Sequence, residues 1–204
     1  MAGHGKLGLF EPIVKWLKNA IKHVHHGSTP HPHAAPHTTP RWRGKPLDPH
    51  YNFETIPNHP QNPFGSRAVR RLTPQELENH RVFIDQHGTF RNAHDGSLFD
   101  SRGSTTHWGR GQSDRAIFTM DPNGNIYASK YQAVGDFHHS TLANGHPVAG
   151  AGEIVVHDGK VQWLTSNSGH YKPGIGEMQQ VLGEFGRHGV SPVPVFNQIM
   201  QRIL

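Results

Sequence analysis

The residues of this chain that could do chemistry concentrate between positions 137 and 173. His139 and His170 belong to the residue type that exchanges protons near neutral pH. Glu153 stands inside a run of small and apolar residues, where partial burial would raise its pKa. Side chains of these types can act as general acids and bases, so the stretch is where we expect a catalytic or binding site.

One reaction that suits this set is metal-independent cleavage of RNA. A base takes the proton of the 2′-hydroxyl, and an acid protonates the leaving oxygen. His139 could act with either Glu153 or His170 in these two parts. Lys172, with Tyr171, would stabilise the charge on the phosphorane.

The reaction that the sequence favours is transfer of ADP-ribose from NAD. An acid stabilises the oxocarbenium-like ribose in this reaction, which suits Glu153. An arginine and a Ser-Thr pair would hold the dinucleotide, and Arg115, Ser140 and Thr141 precede the acid in that order. NAD is then expected as a substrate. No metal is expected, because the chain has no cysteine and its histidine-rich stretch cannot impose a fixed ligand geometry.

Each of these side chains also has a purely structural interpretation. In a chain with 19 histidines, His139 and His170 can be surface or capping residues. Ser140 and Thr141 can satisfy a turn, and Tyr171 can be a core residue. A non-catalytic protein-binding module therefore stays open as a third function.

The spacing predicts that strands carry the candidate residues. His138 and His139 follow Phe137 on a predicted strand, so their side chains should point to opposite faces. Only one of the two could then share a site with Ser140 by direct contact. His170 is predicted at the end of a strand, where site residues often gather.

The predicted fold class is α+β, with a mostly antiparallel sheet of hairpins and short flanking helices. Thr73 begins a capping box, so a short helix follows it. A longer amphipathic helix is expected from about Ile175 until Gly189, and a last short helix over about 195–203. Turn signals predict three hairpins between the first two helices: 81–85 with 89–91, 116–120 with 125–128, and 152–163 across Asp158-Gly159.

The region before this domain differs sharply in composition. It is rich in histidine and proline, so we expect a disordered linker that Tyr51, Phe53 and Phe64 anchor onto the domain. A basic amphipathic helix with Trp16 precedes the linker, and such a helix can bind an anionic membrane surface or dock on a protein. The predicted segments are a helix in 1–26, a linker and irregular anchor segment in 27–71, and the α+β domain in 72–204.

Charge and length limit the classes of partner and location. The net charge of +5 favours acidic partners such as nucleic acid or anionic lipid. No apolar run approaches the roughly 18 to 20 residues that span a bilayer. Charged residues such as Glu11 and Lys15 interrupt the would-be apolar region of a signal peptide. Export would therefore need a route without a classical signal peptide, and a cytoplasmic location is the alternative.

Four blocks of sequence resemble a known pattern over about residues 72 to 190. The pattern is that of C-terminal toxin domains of bacterial polymorphic toxins, and it is also similar to a region of plant IQ-motif calmodulin-binding proteins. The blocks are Phe137 to Leu142, Ala151-Gly152-Glu153, Asp158-Gly159 and Ser168-Gly169-His170-Tyr171-Lys172-Pro173.

The toxin resemblance implies an antibacterial or virulence effector, delivered into another cell, that acts on an intracellular protein or RNA in the target-cell cytoplasm. It also implies a cognate immunity protein or a delivery chaperone as partner. The plant resemblance implies a binding module. The sequence contains no IQ motif, so calmodulin binding is not implied for this chain.

Overall fold

The structure is a computed structural model that describes residues 39–106, 114–197 and 201–204. The predicted N-terminal helix and the first part of the predicted linker lie outside the described residues. The compact unit that contains the described residues begins at Thr39.

A single sheet organises the described residues. It has seven strands in the order β2-β1-β4-β3-β5-β6-β7, and every neighbouring pair is antiparallel except β6 with β7. The α+β class with a mostly antiparallel sheet is therefore confirmed. The strands are β1 Arg81–Ile84, β2 Phe90–Asn92, β3 Arg115–Met120, β4 Ile126–Ser129, β5 Gly150–His157, β6 Lys160–Thr165 and β7 Val195–Phe196.

Few helices accompany the sheet in the part of the chain that the structure describes. They are α1 Pro74–Glu78, α2 His139–Leu142 and α3 Ile175–Arg187, with a single 3₁₀ turn at Pro49–Tyr51. None of these described helices is long and apolar enough to cross a membrane.

Local sequence signals explain most of these boundaries. The capping box at α1 is present, because the Thr73 hydroxyl accepts from the backbone N–H of Glu76 and the Glu76 carboxylate accepts from the backbone N–H of Thr73. The turn between β5 and β6 places Asp158 and Gly159 at φ 50° and 76°. Positive φ at both central residues matches the twist of a hairpin, which is why an Asp-Gly pair predicts this turn. The three predicted hairpins are confirmed.

Two predicted elements are wrong. His138 and His139 do not lie on a strand: His139 opens α2, and the Thr141 hydroxyl accepts from the backbone N–H of His138 and so caps that helix. The segment that begins at Val195 is not helical where it is described. Val195 is buried and pairs in parallel with Leu164 as part of β7, and residues 198–200 lie outside the described residues.

The two faces of the sheet have different covers. On one face, Phe118 and Ile154 pack with Met178, Val181 and Phe185 of α3. On the other face lie the alternate residues of β3 and β5, including Ile117 and its cross-strand partner Glu153. The short helix α2 covers this second face through Leu142, which packs with Ile117 and Phe137. The candidate site lies on this second face.

Gly152 permits the close approach of β5 to β6. A Cβ atom at this position would lie 1.9 Å from the carbonyl oxygen of Thr165, which is backbone and cannot rotate away. The carbonyl oxygen of Gly152 also accepts a hydrogen bond from the His139 ring. This glycine therefore positions both β6 and the start of α2.

We predict that Gly152→Ala lowers the free energy of unfolding by about 1–3 kcal/mol, because the strands must separate to admit the methyl group. Gly176→Ala is the matched control, since a Cβ there meets open space and alanine favours a helix. Equilibrium urea unfolding, followed by tryptophan fluorescence, measures both. Equal stability of the two variants would contradict the tight approach of β5 and β6.

Candidate functional site

A cavity of about 160 Å³ opens beside α2 on the second face of the sheet. Parts of the chain that are far apart in sequence meet there: the irregular segment before α1, the turn after β4, the start of α2, β5 and the turn after β6. We call this cavity the histidine pocket. Its lining residues are Tyr51, Phe64, Gln132, Val134, His138, His139, Glu153, Asn167, Gly169 and His170.

Stacked rings form the wall of the histidine pocket. The ring centroids of Tyr51 and His170 are 4.0 Å apart, and those of His138 and His170 are 4.5 Å apart. Phe64 stacks on His138 at 5.1 Å, with the ring planes inclined by 16°. Four rings from three separate segments thus support one another, which fixes their orientation before any ligand arrives.

The carboxylate of Glu54 holds this wall in place. The side chain is fully buried, and one oxygen accepts from Arg71 Nη2 at 2.9 Å. The other oxygen lies 2.9 Å from His170 Nε2. Burial alone would raise the pKa of Glu54, but the hydrogen bond and charge of His170, with smaller effects of Ser140 and Arg71, outweigh it and lower the pKa. The carboxylate is therefore ionised, so Nε2 of His170 must carry the proton and donate.

His138 and His139, at the start of α2, are held by hydrogen bonds to the backbone. His138 Nε2 accepts a hydrogen bond from the backbone N–H of Gly135 at 2.9 Å. His139 Nε2 lies 2.9 Å from the carbonyl oxygen of Gly152, and because a carbonyl only accepts, this nitrogen carries the proton. Burial lowers the pKa of His139 to about 4, although the hydrogen bond to Gly152 acts in the opposite direction. The ring is neutral at neutral pH.

Glu153 contributes a buried carboxylate to the same pocket. Only 1 % of the residue is exposed. Its Oε2 atom accepts from Arg115 Nη1 and from the Thr165 hydroxyl, both at 3.3 Å. Its Oε1 atom has no hydrogen-bond partner among the described residues. An acid with one weakly held oxygen and one unpaired oxygen is an unusual feature for a protein interior.

The structure brings only part of the predicted set together. Glu153, His139 and His170 line the pocket, and Arg115 reaches Glu153. Ser140 is fully buried in α2, and its hydroxyl has no hydrogen-bond partner among the described residues, although it contributes to lowering the pKa of Glu54.

Three predicted residues lie elsewhere. Thr141 caps α2 through the backbone of His138. Tyr171 packs with Val148 and Ala151 in a separate buried cluster, and its hydroxyl donates to the carbonyl oxygen of His146 at 2.9 Å. Burial raises the pKa of Tyr171. Lys172 points to the surface and pairs with Asp48 at 2.6 Å, so it is not beside the pocket histidines.

Sequence reasoning did not select four important residues: Glu54, Tyr51, Phe64 and His138. Tyr51 and Phe64 were expected only as anchors of an irregular segment. The sequence signal that could have identified Glu54 was its position directly after Phe53, because an aromatic anchor carries its neighbours toward the interior. In the part of the chain that the structure describes, no three histidine, aspartate or glutamate side chains are placed to share a metal ion.

Comparison with known proteins decides the family. Residues 76–178, which are half of the chain, match the IQ motif-containing protein middle domain. The chain belongs to this family. The matched range holds the sheet from β1 to β6, α2 and four of the pocket residues discussed above, which are His138, His139, Glu153 and His170.

Curated relatives from Arabidopsis thaliana share this region. IQ domain-containing protein IQM1 is 25% identical over 135 residues, which are 66% of this chain and 25% of the relative. IQ domain-containing protein IQM3 is 27% identical over 133 residues, which are 65% of this chain and 27% of the relative. The chain thus spans about a quarter of the length of these relatives. No solved structure matches the chain.

These findings overturn the interpretation as a toxin. The family match and the plant relatives support the IQ-motif part of the resemblance and give no support to a bacterial polymorphic toxin. The expectation of a secreted, antibacterial virulence effector that transfers ADP-ribose from NAD is wrong, and the comparisons give no support to an immunity protein as partner. We propose no role for NAD or for RNA cleavage.

We predict that His139 makes stability depend on pH. An unfolded histidine binds a proton near its ordinary pKa of 6.5, whereas folded His139 binds one only near 4. Between these values the unfolded state binds more protons, so stability falls as the pH falls. The His139→Gln variant keeps an N–H donor for Gly152 but has no group that titrates there. Between pH 7 and pH 5 this variant should therefore lose about 2 kcal/mol less unfolding free energy than the unmodified chain loses.

Urea unfolding at the two pH values measures this difference. His87→Gln is the control, because His87 is exposed on the turn between β1 and β2. If His139→Gln loses as much stability between pH 7 and pH 5 as the unmodified chain, the ring is not buried and neutral as described.

Proposed function

We propose that this domain is a non-catalytic module that binds another protein through the histidine pocket. The observation that carries the proposal is that each of the three pocket histidines uses its Nε2 atom in a hydrogen bond that holds the fold together. His138 accepts from Gly135, His139 donates to Gly152, and His170 donates to Glu54. Rings held in this way build a rigid wall for recognition.

The size of the pocket supports binding of a single side chain. Pockets for small molecules and cofactors enclose about 300–1,000 Å³. The histidine pocket encloses about 160 Å³, which suits the head group of one amino-acid side chain. Aromatic rings that line a fixed recess are also the residues that contribute most to protein–protein binding.

The wall of the pocket depends on the segment before α1, since Tyr51 and Phe64 both come from it. That segment lies outside the range of the family match. The partner is therefore proposed to contact a surface that joins the middle domain to its preceding segment. Calmodulin is not the proposed partner, because the sequence has no IQ motif.

Photo-crosslinking tests this proposal. A crosslinking amino acid replaces Asn167 at the rim of the pocket, and the chain is irradiated in a lysate of the cells that produce it. We expect a discrete crosslinked protein, because the bound partner must pass the rim. The same substitution at Gln86, which is exposed on the turn between β1 and β2, is the control position.

A second substitution connects the crosslink to the pocket. Phe64→Ala removes one ring of the wall, so the crosslink at Asn167 should weaken at least about fivefold, as for an aromatic residue at the centre of an interface. Identical crosslinked species at Asn167 and Gln86, or none at Asn167, would contradict the proposal.

A further inference from the structure

The unpaired oxygen of Glu153 shows what kind of group the pocket lacks. The carboxylate is 1 % exposed and lines the pocket, and Oε1 has no hydrogen-bond partner among the described residues. Buried polar atoms in folded proteins are nearly always paired with protein, solvent or ligand. A carboxylate oxygen only accepts, so the missing partner is a donor of hydrogen bonds.

No neighbouring charged group among the described residues pairs with this oxygen. Arg115 reaches Glu153 through one nitrogen, at 3.3 Å and to Oε2 only, instead of forming a two-pronged pair. The other buried acid at the site, Glu54, is already held by Arg71 and His170. His139 is neutral at neutral pH, so it does not repel a cation.

The rings of the pocket favour a flat donor. The planes of Tyr51 and Phe64 are inclined by 25° to each other, and that of His170 by 23° to Tyr51. A guanidinium group is planar, stacks on aromatic faces and offers its N–H groups at its edge. An ammonium group has three donors but no flat face, so it can pair with the carboxylate but cannot stack on the rings.

We propose that the histidine pocket binds the guanidinium group of an arginine side chain from the partner protein, with its N–H groups donating to Oε1 of Glu153 and its face against the ring wall. This inference rests on the protein-binding function proposed above and names the chemistry that the pocket recognises. The net charge of +5 gives no long-range attraction for a basic partner, so the selectivity comes from the pocket itself.

Two peptides that differ in one charged group test the inference on the full chain. Acetyl-Gly-Arg-Gly-amide and acetyl-Gly-citrulline-Gly-amide have nearly the same shape, but citrulline is neutral and one of its nitrogens is replaced by oxygen. Calorimetric titration should give a dissociation constant for the arginine peptide that is lower by roughly tenfold or more, because a charged hydrogen bond to a carboxylate is lost with citrulline. This comparison needs no variant.

Substitutions assign the selectivity to Glu153. Glu153→Gln keeps the size of the side chain and removes its charge, so the two peptides should bind within about twofold of each other. Glu78→Gln removes an acid on α1 that pairs with Arg81 at the surface, and it should keep the tenfold preference. Equal binding of the two peptides to the unmodified chain, or no binding of either, overturns the arginine assignment, as does a preference that survives Glu153→Gln.

These outcomes are separate from those of the crosslinking experiment. A crosslink at Asn167 without arginine selectivity leaves the protein-binding function standing and removes the proposed ligand. Arginine selectivity without a crosslink supports the guanidinium site and contradicts the protein-binding function.

Discussion

The buried carboxylate of Glu54 ties two distant parts of the chain together. It accepts from Arg71 on one side and from His170 on the other, both at 2.9 Å. A buried ion pair is costly to break, because the remaining charge is left without a partner. The contact therefore fixes the irregular segment before α1 against the turn after β6. Tyr51, which stacks on His170, is positioned by the same contact.

The sheet supplies the other half of the site. Cross-strand pairing places Glu153 opposite Ile117 and Thr165, on the face that α2 covers. The hydrogen bond between His139 and the carbonyl oxygen of Gly152 joins α2 to the same strand. The pocket thus lies between a rigid strand and a wall held by Glu54, and its geometry exists before a ligand binds. Such preorganisation reduces the entropic cost of binding.

Much of the fold follows from local sequence signals, and the site does not. The Asp158-Gly159 turn and the capping box at Thr73 were predictable because each is decided by a few adjacent residues. The role of Glu54 was not, since its partner His170 is 116 positions away. The strand predicted at His138 was wrong because the Thr141 hydroxyl and the ring contact to Gly152 favour a helical turn. Long-range partners of this kind leave no local pattern.

The most direct test of the account is a double-mutant cycle between Glu54 and His170. The unfolding free energy is measured for the unmodified chain, for Glu54→Gln, for His170→Gln and for the double variant. If the contact holds the pocket wall, the two single losses are not additive, and the coupling energy is about 1–3 kcal/mol. The surface pair of Glu78 and Arg81 serves as a reference and should couple by less than about 1 kcal/mol. Losses at Glu54 and His170 that add within about 0.5 kcal/mol would contradict the account.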